Sequence, residues 1–432
     1  MTTTLNTRFS NLLLEILHGD PSLPDPARLF ALSPDDWHVF TTEAIRYRMA
    51  FQVKEFFDAK SHFGGIVPQV CLHQLGEAVR ETLMNNLRKQ AHLRDMLALL
   101  KEANIPVMLL KGLWLGEAVY RDLKARATGD IDLLLRLEEM PRFTKLVLEH
   151  GFDLPKNTTN ICDLVPAKNE FPLVHPTRKS FFDIHWALTL SPIEKKVDEE
   201  TFWKRSEIYT IAGQPCRSLC VEDHLLYLCF HAADHHRFNY IGPRALLDVA
   251  CLIAHPPRPI NWDDLVTRSR ELGWDRGVWL MLDLSRMHLG SQVPPSVLDE
   301  LCPAGGKDRF INFMAMDAIF LNQSKVNDLH INIVRLTEER SLLKRAALFY
   351  ERIFPASEEI ATEFMTSVNS PGFRWLYVKR IGLLVKKHLP KIFLITCKNA
   401  TVLAEKERIL VIDSWMEGDA AHPPIKGYCS RQ

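Results

Sequence analysis

The stretch from Val107 to Leu135 reads VMLLKGLWLGEAVYRDLKARATGDIDLLL. It contains two short apolar runs, Val107–Leu110 and Ile131–Leu135, whose length and composition are typical of buried strands. Lys111–Gly112 interrupts the first run, and the residues from Leu113 to Tyr120 predict a helix that turns away from it. The stretch therefore predicts a strand, a turn into a helix, and a return into a second strand.

Two acidic residues lie where the second predicted strand begins. Side chains alternate along a strand, so Asp130 and Asp132 point the same way and Ile131 between them turns into the core. Two carboxylates held side by side repel each other unless a cation lies between them. Hard oxygen ligands suit Mg²⁺, which keeps several waters and completes its shell with substrate phosphates. The pair therefore predicts a divalent metal site for Mg²⁺ or Mn²⁺.

Three motifs in this order resemble the bacterial "uncharacterised nucleotidyltransferase" family of the polymerase-beta-like nucleotidyltransferase superfamily. They are LKG at Leu110–Gly112, RATGDIDLL at Arg126–Leu134 and FDIHW at Phe182–Trp186. The resemblance extends from about Leu97 to about Pro295. The superfamily usually has Gly-Ser before its acid pair at a shorter spacing, whereas this chain has Lys111–Gly112 there.

The resemblance implies an enzyme that transfers a nucleoside monophosphate from an NTP to an acceptor and releases pyrophosphate. It also implies three catalytic, metal-binding carboxylates, those of Asp130, Asp132 and Asp183. Strand propensity disfavours an acid within the β-rich run around Asp183, and coordination of the same metal would account for it. An exposed strand face is the alternative explanation for Asp183. As a metal ligand, Asp183 would also help to deprotonate the attacking hydroxyl.

Six further residues are predicted to contact the nucleotide. Lys111 lies at the turn where it would meet the triphosphate, and Gly112 would let the backbone come close while the helix N-terminus adds donors. Arg126 offers a bidentate fork for phosphate. A surface position for Lys111 and an ion pair for Arg126 are the alternatives. The resembling family has a His-bearing helix and a later Asp beside its site, which match His231 and Asp248. The predicted set is Lys111, Gly112, Arg126, Gly129, His231 and Asp248.

A histidine-rich helix follows the predicted core. His224, His231 and His235 share one helix face, and the last two have the i, i+4 spacing of zinc ligands. No Glu follows His231 as in the HExxH motif, and no third ligand is obvious. A polar helix face that lines a cleft against the core is the favoured interpretation.

The whole pattern predicts an α+β protein, with a small mixed β-sheet nucleotidyltransferase core flanked by N-terminal and C-terminal helical regions. We expect an N-terminal helical region at 1–104, the core at 105–215, a helical domain at 216–385, and a tail of uncertain structure at 386–432. Before the core, apolar residues recur at the helical spacing of Leu93, Met96, Leu97 and Leu100.

Segments outside the central stretch add to this prediction. Phe171–His175 and Phe181–Trp186 have the composition of strands and are separated by turn residues. The apolar positions after Phe143 predict a helix that ends at Gly151. Arg408–Trp415 is ambiguous and is interpreted as a possible strand.

The composition limits the class of partner. Lys plus Arg equals Asp plus Glu, 53 each among 432 residues, so no global field favours nucleic acid. We therefore expect an NTP, with ATP as first choice, and an unidentified acceptor that is a protein, peptide or small molecule rather than long nucleic acid. Nine scattered cysteines favour reduced thiols, and no apolar run approaches the ~20 residues of a membrane span. A cytoplasmic protein without a membrane partner is expected.

A second interpretation is a catalytically inactive nucleotidyltransferase-fold protein that binds a nucleotide or a protein partner. The presence of all three carboxylates argues against it, and the altered Gly-Ser position argues mildly for it. A kinase is not supported, because the sequence contains neither GxxxxGK[ST] nor HRD. Metal-dependent NTP consumption would separate an enzyme from a binding protein.

Overall fold

The computed structural model describes residues 3–20, 22, 24–59, 65–154, 169–175, 180–189, 197–239, 241–303, 309–320, 350, 354–355, 357, 360, 364, 368–382 and 400–418. These residues form many helices around a mixed β-sheet, which confirms the predicted α+β class. The boundaries of the four predicted regions stay predictions.

The chain before the sheet is helical, as predicted. The first turn of one of these helices has a capping box, in which Ser33 and Asp36 satisfy each other's backbone N–H groups. The long fifth helix buries the apolar stripe predicted from its spacing, and Leu93 and Leu100 are fully covered. The helices are α1 (Thr3–His18), α2 (Pro26–Phe30), α3 (Pro34–Arg46), α4 (Ala50–Ala59) and α5 (Gln69–Glu102).

The core follows the predicted order of strands and turns. Its helix α7 ends where Gly151 adopts a left-handed φ of 78°, the position predicted for it. The elements are β1 (Val107–Leu109), α6 (Lys111–Trp114) continuing into a π-helical turn (Leu115–Tyr120), β2 (Ile131–Leu135), a 3₁₀ turn (Leu137–Glu139), α7 (Met140–Glu149), β3 (Glu170–His175), β4 (Ser180–His185), α8 (Glu199–Arg205), β5 (Glu207–Ile211) and β6 (Gln214–Ser218).

The described strands form one six-stranded sheet in the order β3-β4-β2-β1-β6-β5. The central strands β2 and β4 are parallel, and Asp132 pairs with Asp183 in their register. β1 is antiparallel to β2, so the turn at Lys111 follows β1 at the same edge where β2 begins. This topology places Lys111, after the end of β1, close to Asp132 near the start of β2 and to Asp183 on β4.

The hairpin of β5 and β6 was not anticipated from the sequence. Its turn is the dipeptide Ala212–Gly213, in which both residues have positive φ, 52° and 73°. That geometry suits a two-residue hairpin, although Ala is a weak signal for it. Pro215 and Arg217 in β6 are both exposed, and they further obscure the strand pattern.

The helices after the sheet pack on one another and on the core. The helix α9 is buried along its whole length, and Trp274 and Trp279 nearby are packing residues. The helices are α9 (Val221–Phe230) continuing into a π-helical turn (His231–His235), α10 (Arg244–Ala254), α11 (Trp262–Leu272), α12 (Asp275–Leu289), α13 (Pro295–Leu301), α14 (Arg309–Ile319) and a last helix at Ala400–Glu417.

The possible strand at Arg408–Trp415 is wrong, because these residues lie in the helix Ala400–Glu417. Most of these residues are buried, among them Ile409, Val411, Ile412 and Trp415, so the segment is covered on more than one face. Such burial gives a nearly continuous apolar run that does not distinguish a strand from a buried helix, and the helix packs against α14. The rest of the predicted tail, 386–399 and 419–432, lies outside the described residues.

None of the described helices is both long enough and apolar enough to cross a membrane.

Candidate active site

Three carboxylates meet close to the start of the central strand β2, as the sequence predicts. Asp130 precedes β2, Asp132 lies within it, and Asp183 lies on the adjacent strand β4. One oxygen from each carboxylate lies within 4.8 Å of the others. Asp130 is exposed, Asp132 is buried and Asp183 is half-buried, so the site opens to solvent on the Asp130 side.

The charges of this acid triad are incompletely balanced by protein groups. Burial, a hydrogen bond with Asp130 and the negative charges around it raise the pKa of Asp183 to about 7. The buried Oδ2 of Asp132 has no hydrogen-bond partner among the described residues. A buried acceptor of this kind is costly unless a ligand satisfies it. The donor set, three converging oxygen ligands with one unsatisfied, fits a divalent cation such as Mg²⁺ or Mn²⁺.

The other oxygen of Asp132 has two protein partners. Its Oδ1 lies 3.3 Å from Nζ of Lys111 and 3.2 Å from Nε2 of His185. Although burial opposes ionisation, the charge of Lys111 and the hydrogen bond with His185 lower the pKa of Asp132 to about 2. His185 was not predicted from the sequence. Strand alternation was the available signal, since His185 lies two residues after Asp183 on the same face of β4.

Lys111 and Gly112 form a strained turn next to the acid triad. Lys111 has a φ of 20° and Gly112 a φ of 33°, in the region that side chains avoid. A Cβ on Gly112 would lie 3.4 Å from both the carbonyl oxygen of Asp130 and Cγ2 of Thr128. Glycine therefore lets the turn pack against the backbone that leads into β2, and this packing aims Lys111 at Asp132.

Besides Asp132, Lys111 contacts His231, which lies 120 positions later in the sequence. Its Nζ lies 3.1 Å from Nε2 of His231. Burial and the charge of Lys111 lower the pKa of His231 well below its ordinary value, so the neutral imidazole accepts a hydrogen bond from the ammonium. Burial opposes the charge on Lys111, but Asp132 raises its pKa above the usual value for lysine. The structure thus places His231 beside Lys111, and its predicted contact with the nucleotide stays a prediction.

Arg126 and Asp248, both predicted to contact the nucleotide, contact each other. Nε and Nη2 of Arg126 donate to the two oxygens of Asp248 at 2.8 and 2.9 Å. Nη1 of Arg126 donates to the carbonyl of Gly112 at 3.0 Å, and the Tyr120 hydroxyl donates to Asp248 at 2.8 Å. The buried pair therefore stabilises the Lys111–Gly112 turn through the hydrogen bond from Arg126 to the Gly112 carbonyl. A nucleotide contact by either residue stays a prediction.

The segment that leads into the acid triad is fixed by polar side chains from two helices. From α5, Lys89 donates to the carbonyl of Thr128 at 2.6 Å and Asn86 donates to the carbonyl of Arg126 at 2.7 Å. From α10, Arg244 donates to the carbonyl of Ala127 at 2.6 Å. Sequence reasoning missed all three donors, because no local pattern relates them to this segment.

The three histidines of the predicted helix face lie in two environments: His224 in the core, and His231 and His235 near the site. His224 is fully buried and stacks on Trp114, with ring centroids 3.7 Å apart, and burial lowers its pKa to about 3. His231 and His235 stack on each other at 5.5 Å where α9 becomes a π-helical turn. Within the described ranges, the acid triad is the group of three residues placed to hold a metal, and the histidines form no such group.

A mixed sheet of this topology, with three converging carboxylates at its edge, has a nucleotidyltransferase-like fold and site. The profile of the family described as uncharacterised nucleotidyltransferase matches residues 33–290, more than half of the chain. The chain therefore belongs to this family, as its motifs indicated. No curated protein and no solved structure gives a significant match.

Proposed function

We propose that this protein is a metal-dependent nucleotidyltransferase, with ATP as the favoured donor. The observation that carries the proposal is the convergence of Asp130, Asp132 and Asp183 within 4.8 Å, directly beneath Lys111. The acceptor oxygen forms a bond to the α-phosphorus of the NTP, and the bond between that phosphorus and the bridging oxygen breaks. Pyrophosphate leaves with the bonding electrons, and the acceptor carries the nucleoside monophosphate.

The acid triad would hold Mg²⁺ or Mn²⁺, which neutralises charge on the transferring phosphate and lowers the pKa of the attacking hydroxyl. Asp183 is the carboxylate assigned to the acceptor side, where it receives the hydroxyl proton. Burial and the neighbouring carboxylates raise the pKa of Asp183 to about 7 in the metal-free site, and a bound cation would release that proton and leave the carboxylate ionised. Asp130 and Asp132 are assigned to the donor side, next to the Lys111–Gly112 turn.

Lys111 is assigned to the triphosphate of the donor. Its ammonium lies at the acid triad between Asp132 and the neutral ring of His231, and Asp132 is the acid with which it forms an ion pair among the described residues. A bound triphosphate supplies further oxygens within reach of a flexible lysine side chain. Gly112 has no side chain, and neither does Gly129, which is also predicted to contact the nucleotide. The backbone at these two positions near Lys111 is therefore open to the donor.

Arg126 and Asp248 support the turn in this proposal. The guanidinium of Arg126 bonds the Gly112 carbonyl with one nitrogen and Asp248 with two others. Because both residues are buried, the pair fixes the position of Gly112 relative to the acid triad. A cytoplasmic location and a protein, peptide or small-molecule acceptor also belong to the proposal.

Label transfer distinguishes this enzyme from an inactive nucleotide-binding protein. The full-length protein is incubated with Mg²⁺ or Mn²⁺ and ATP labelled at either the α- or the γ-phosphate, and with candidate acceptors. Transfer of α-label with release of γ-label in pyrophosphate is expected, and Asp130→Asn with Asp132→Asn should abolish it. Metal-dependent ATP binding without release of pyrophosphate under any condition would favour the inactive protein.

A further inference from the structure

A cleft of about 330 Å³ lies beside the acid triad, between the N-terminal helices and the segment that leads into β2. Its walls come from the α3–α4 junction, from α5 and from residues 124–129. Pockets of 300–1,000 Å³ are the usual size for small ligands. The last residue of the third wall, Gly129, directly precedes Asp130.

Two positive charges, those of Arg48 and Lys89, line the cleft. Neither side chain forms an ion pair with an acid in the described part of the chain. Lys89 donates to the carbonyl of Thr128, and Arg244 behind the same wall donates to the carbonyl of Ala127. Carbonyl oxygens are dipoles, so they satisfy these donors but leave their charges uncompensated.

The neighbouring charges act on Lys89 with a net destabilising effect on its positive form. Burial lowers the pKa of Lys89 and the positive charge of Arg48 lowers it further, while the negative charge of Asp130 partly opposes both. Burial likewise lowers the pKa of Arg244 to about 10. A third cation of the cleft, Lys124, is balanced by Asp122 at 3.4 Å, and the exposed acid Glu81 also lines the cleft. The excess charge therefore lies at Arg48 and Lys89, next to Gly129.

The backbone around Gly129 lies close to both the cleft and the Lys111–Gly112 turn. The missing side chain of Gly112 would meet Thr128 and the Asp130 carbonyl. The missing side chain of Gly129, between those two residues, would meet Nη1 of Arg48 at 3.5 Å. Residues 128–130, which lead into the triad, thus lie next to the Lys111–Gly112 turn at Thr128 and Asp130 and next to Arg48 at Gly129.

We propose that this cleft is the acceptor subsite and that it binds the phosphate of a small, phosphate-bearing acceptor. The proposal rests on the nucleotidyltransferase function above, since it assigns the acceptor side of that same site. A phosphate monoester carries a charge of about −1.5 to −2 near neutral pH, which matches two cations that form no ion pair within the described residues. Arg48 offers a bidentate fork and Lys89 a point charge, the usual pair of donors for phosphate.

The first test uses inorganic phosphate as the probe, without metal or nucleotide. Isothermal titration of the full-length protein should detect phosphate binding that weakens at least tenfold in Arg48→Gln with Lys89→Gln. Arg48→Gln alone removes one cation and leaves the hydrogen bond from Lys89 to Thr128 intact. Glutamine, like arginine, has an unbranched side chain, so the substitution does not add strain at the positive φ of 61°. Arg80→Gln, on α5 next to Glu77, is the matched control and should bind phosphate normally. Equal phosphate affinity in all four proteins would overturn the proposal.

The second test separates acceptor from donor. Affinity for ATP with Mg²⁺ should stay within about twofold in Arg48→Gln, whereas Lys111→Met should weaken it and leave phosphate binding intact. A parallel loss of ATP and phosphate affinity in Arg48→Gln would make the cleft part of the donor site and overturn the acceptor assignment. Tighter binding of a single-stranded oligonucleotide than of phosphate at Arg48 would overturn the small acceptor. Phosphate binding without any metal-dependent ATP binding in the wild type would overturn the proposed function and leave an anion site.

Discussion

Asp132 and Asp183 stand opposite each other in the register of the parallel strands β2 and β4. Side chains at paired positions of neighbouring strands project from the same face of the sheet. Two acids that are far apart in sequence are therefore placed side by side by backbone hydrogen bonding alone. A shift of one residue in this register would turn one of them to the opposite face, so the metal site depends on the pairing of the strands.

Metal binding should stabilise the folded protein. The three carboxylates repel one another and Oδ2 of Asp132 has no partner in the described structure, so a divalent cation binds the folded state selectively. Saturating Mg²⁺ or Mn²⁺ should raise the free energy of unfolding by roughly 2–3 kcal/mol at about a hundredfold excess over Kd. Asp130→Asn with Asp132→Asn should remove this gain, as measured by thermal denaturation. An equal metal-induced shift in the double variant would place the metal elsewhere.

The metal-induced stabilisation should also depend on pH. The pKa of Asp183 is raised to about 7 in the metal-free fold, from an ordinary value of 3.8, so the folded state holds this proton more tightly than the unfolded state. Through this group, the stability of the metal-free protein falls as pH rises from about 4 to about 7. A cation needs the ionised form, so its stabilising effect should be larger at about pH 8 than at about pH 6. Asp183→Asn should flatten that difference; a difference unchanged in this variant would assign the titration to another group.

Gly112→Ala should destabilise the protein and weaken ATP binding. A side chain at a φ of 33° is strained, and its Cβ would press on Asp130 and Thr128 at 3.4 Å. We expect a loss of ~1–3 kcal/mol in the free energy of unfolding, measured by urea denaturation. Gly116→Ala is the matched control, because that Cβ would first meet Leu123 at 4.0 Å. Similar losses in both variants would mean that the turn at Gly112 has no special geometry.

The acid triad could be predicted from the sequence because its causes are local. Strand alternation places Asp130 and Asp132 on one side, and the family motif supplies Asp183 in a recognisable strand. His185 obeys the same alternation, so its position two residues after Asp183 contained the signal. Lys111 likewise follows from the end of a short apolar run.

The pairing of Arg126 with Asp248 could not be predicted, although both residues were singled out. They lie 122 positions apart, and their contact depends on how α10 packs against the π-helical turn Leu115–Tyr120. The cleft around Arg48 and Lys89 has the same origin, since three segments distant in sequence form it. Helical spacing shows which face of α5 is buried, but it does not show what Lys89 faces.

Lys111→Ala should weaken the binding of ATP with Mg²⁺ by roughly 1–3 kcal/mol, which is about five- to 150-fold, through loss of a charge-assisted contact to phosphate. Isothermal titration at saturating Mg²⁺ measures it and keeps the acid triad neutralised when the lysine is absent. Lys145→Ala, an exposed lysine on α7 beside Glu149, is the control and should bind ATP normally. Unchanged affinity in Lys111→Ala would show that this lysine only neutralises Asp132.

Asp183→Asn separates chemistry from donor binding. In the proposed mechanism, Asp130 and Asp132, next to the Lys111–Gly112 turn, suffice to hold the donor with its metal, whereas Asp183 acts on the acceptor hydroxyl. ATP affinity should therefore stay within a few-fold of the wild type. The rate of transfer should fall by ~10² or more, the range typical of losing a group that acts mainly in the transition state.

A single-turnover assay with α-labelled ATP measures that rate by following label into an acceptor or into the protein itself. Asp153→Asn is the control, because this exposed acid lies at the sheet edge where its backbone pairs with Val174. Transfer at the wild-type rate in Asp183→Asn would show that the third carboxylate does not act on the attacking hydroxyl. Loss of ATP affinity together with the rate would instead place Asp183 on the donor side, because all three carboxylates would then be needed to hold the nucleotide.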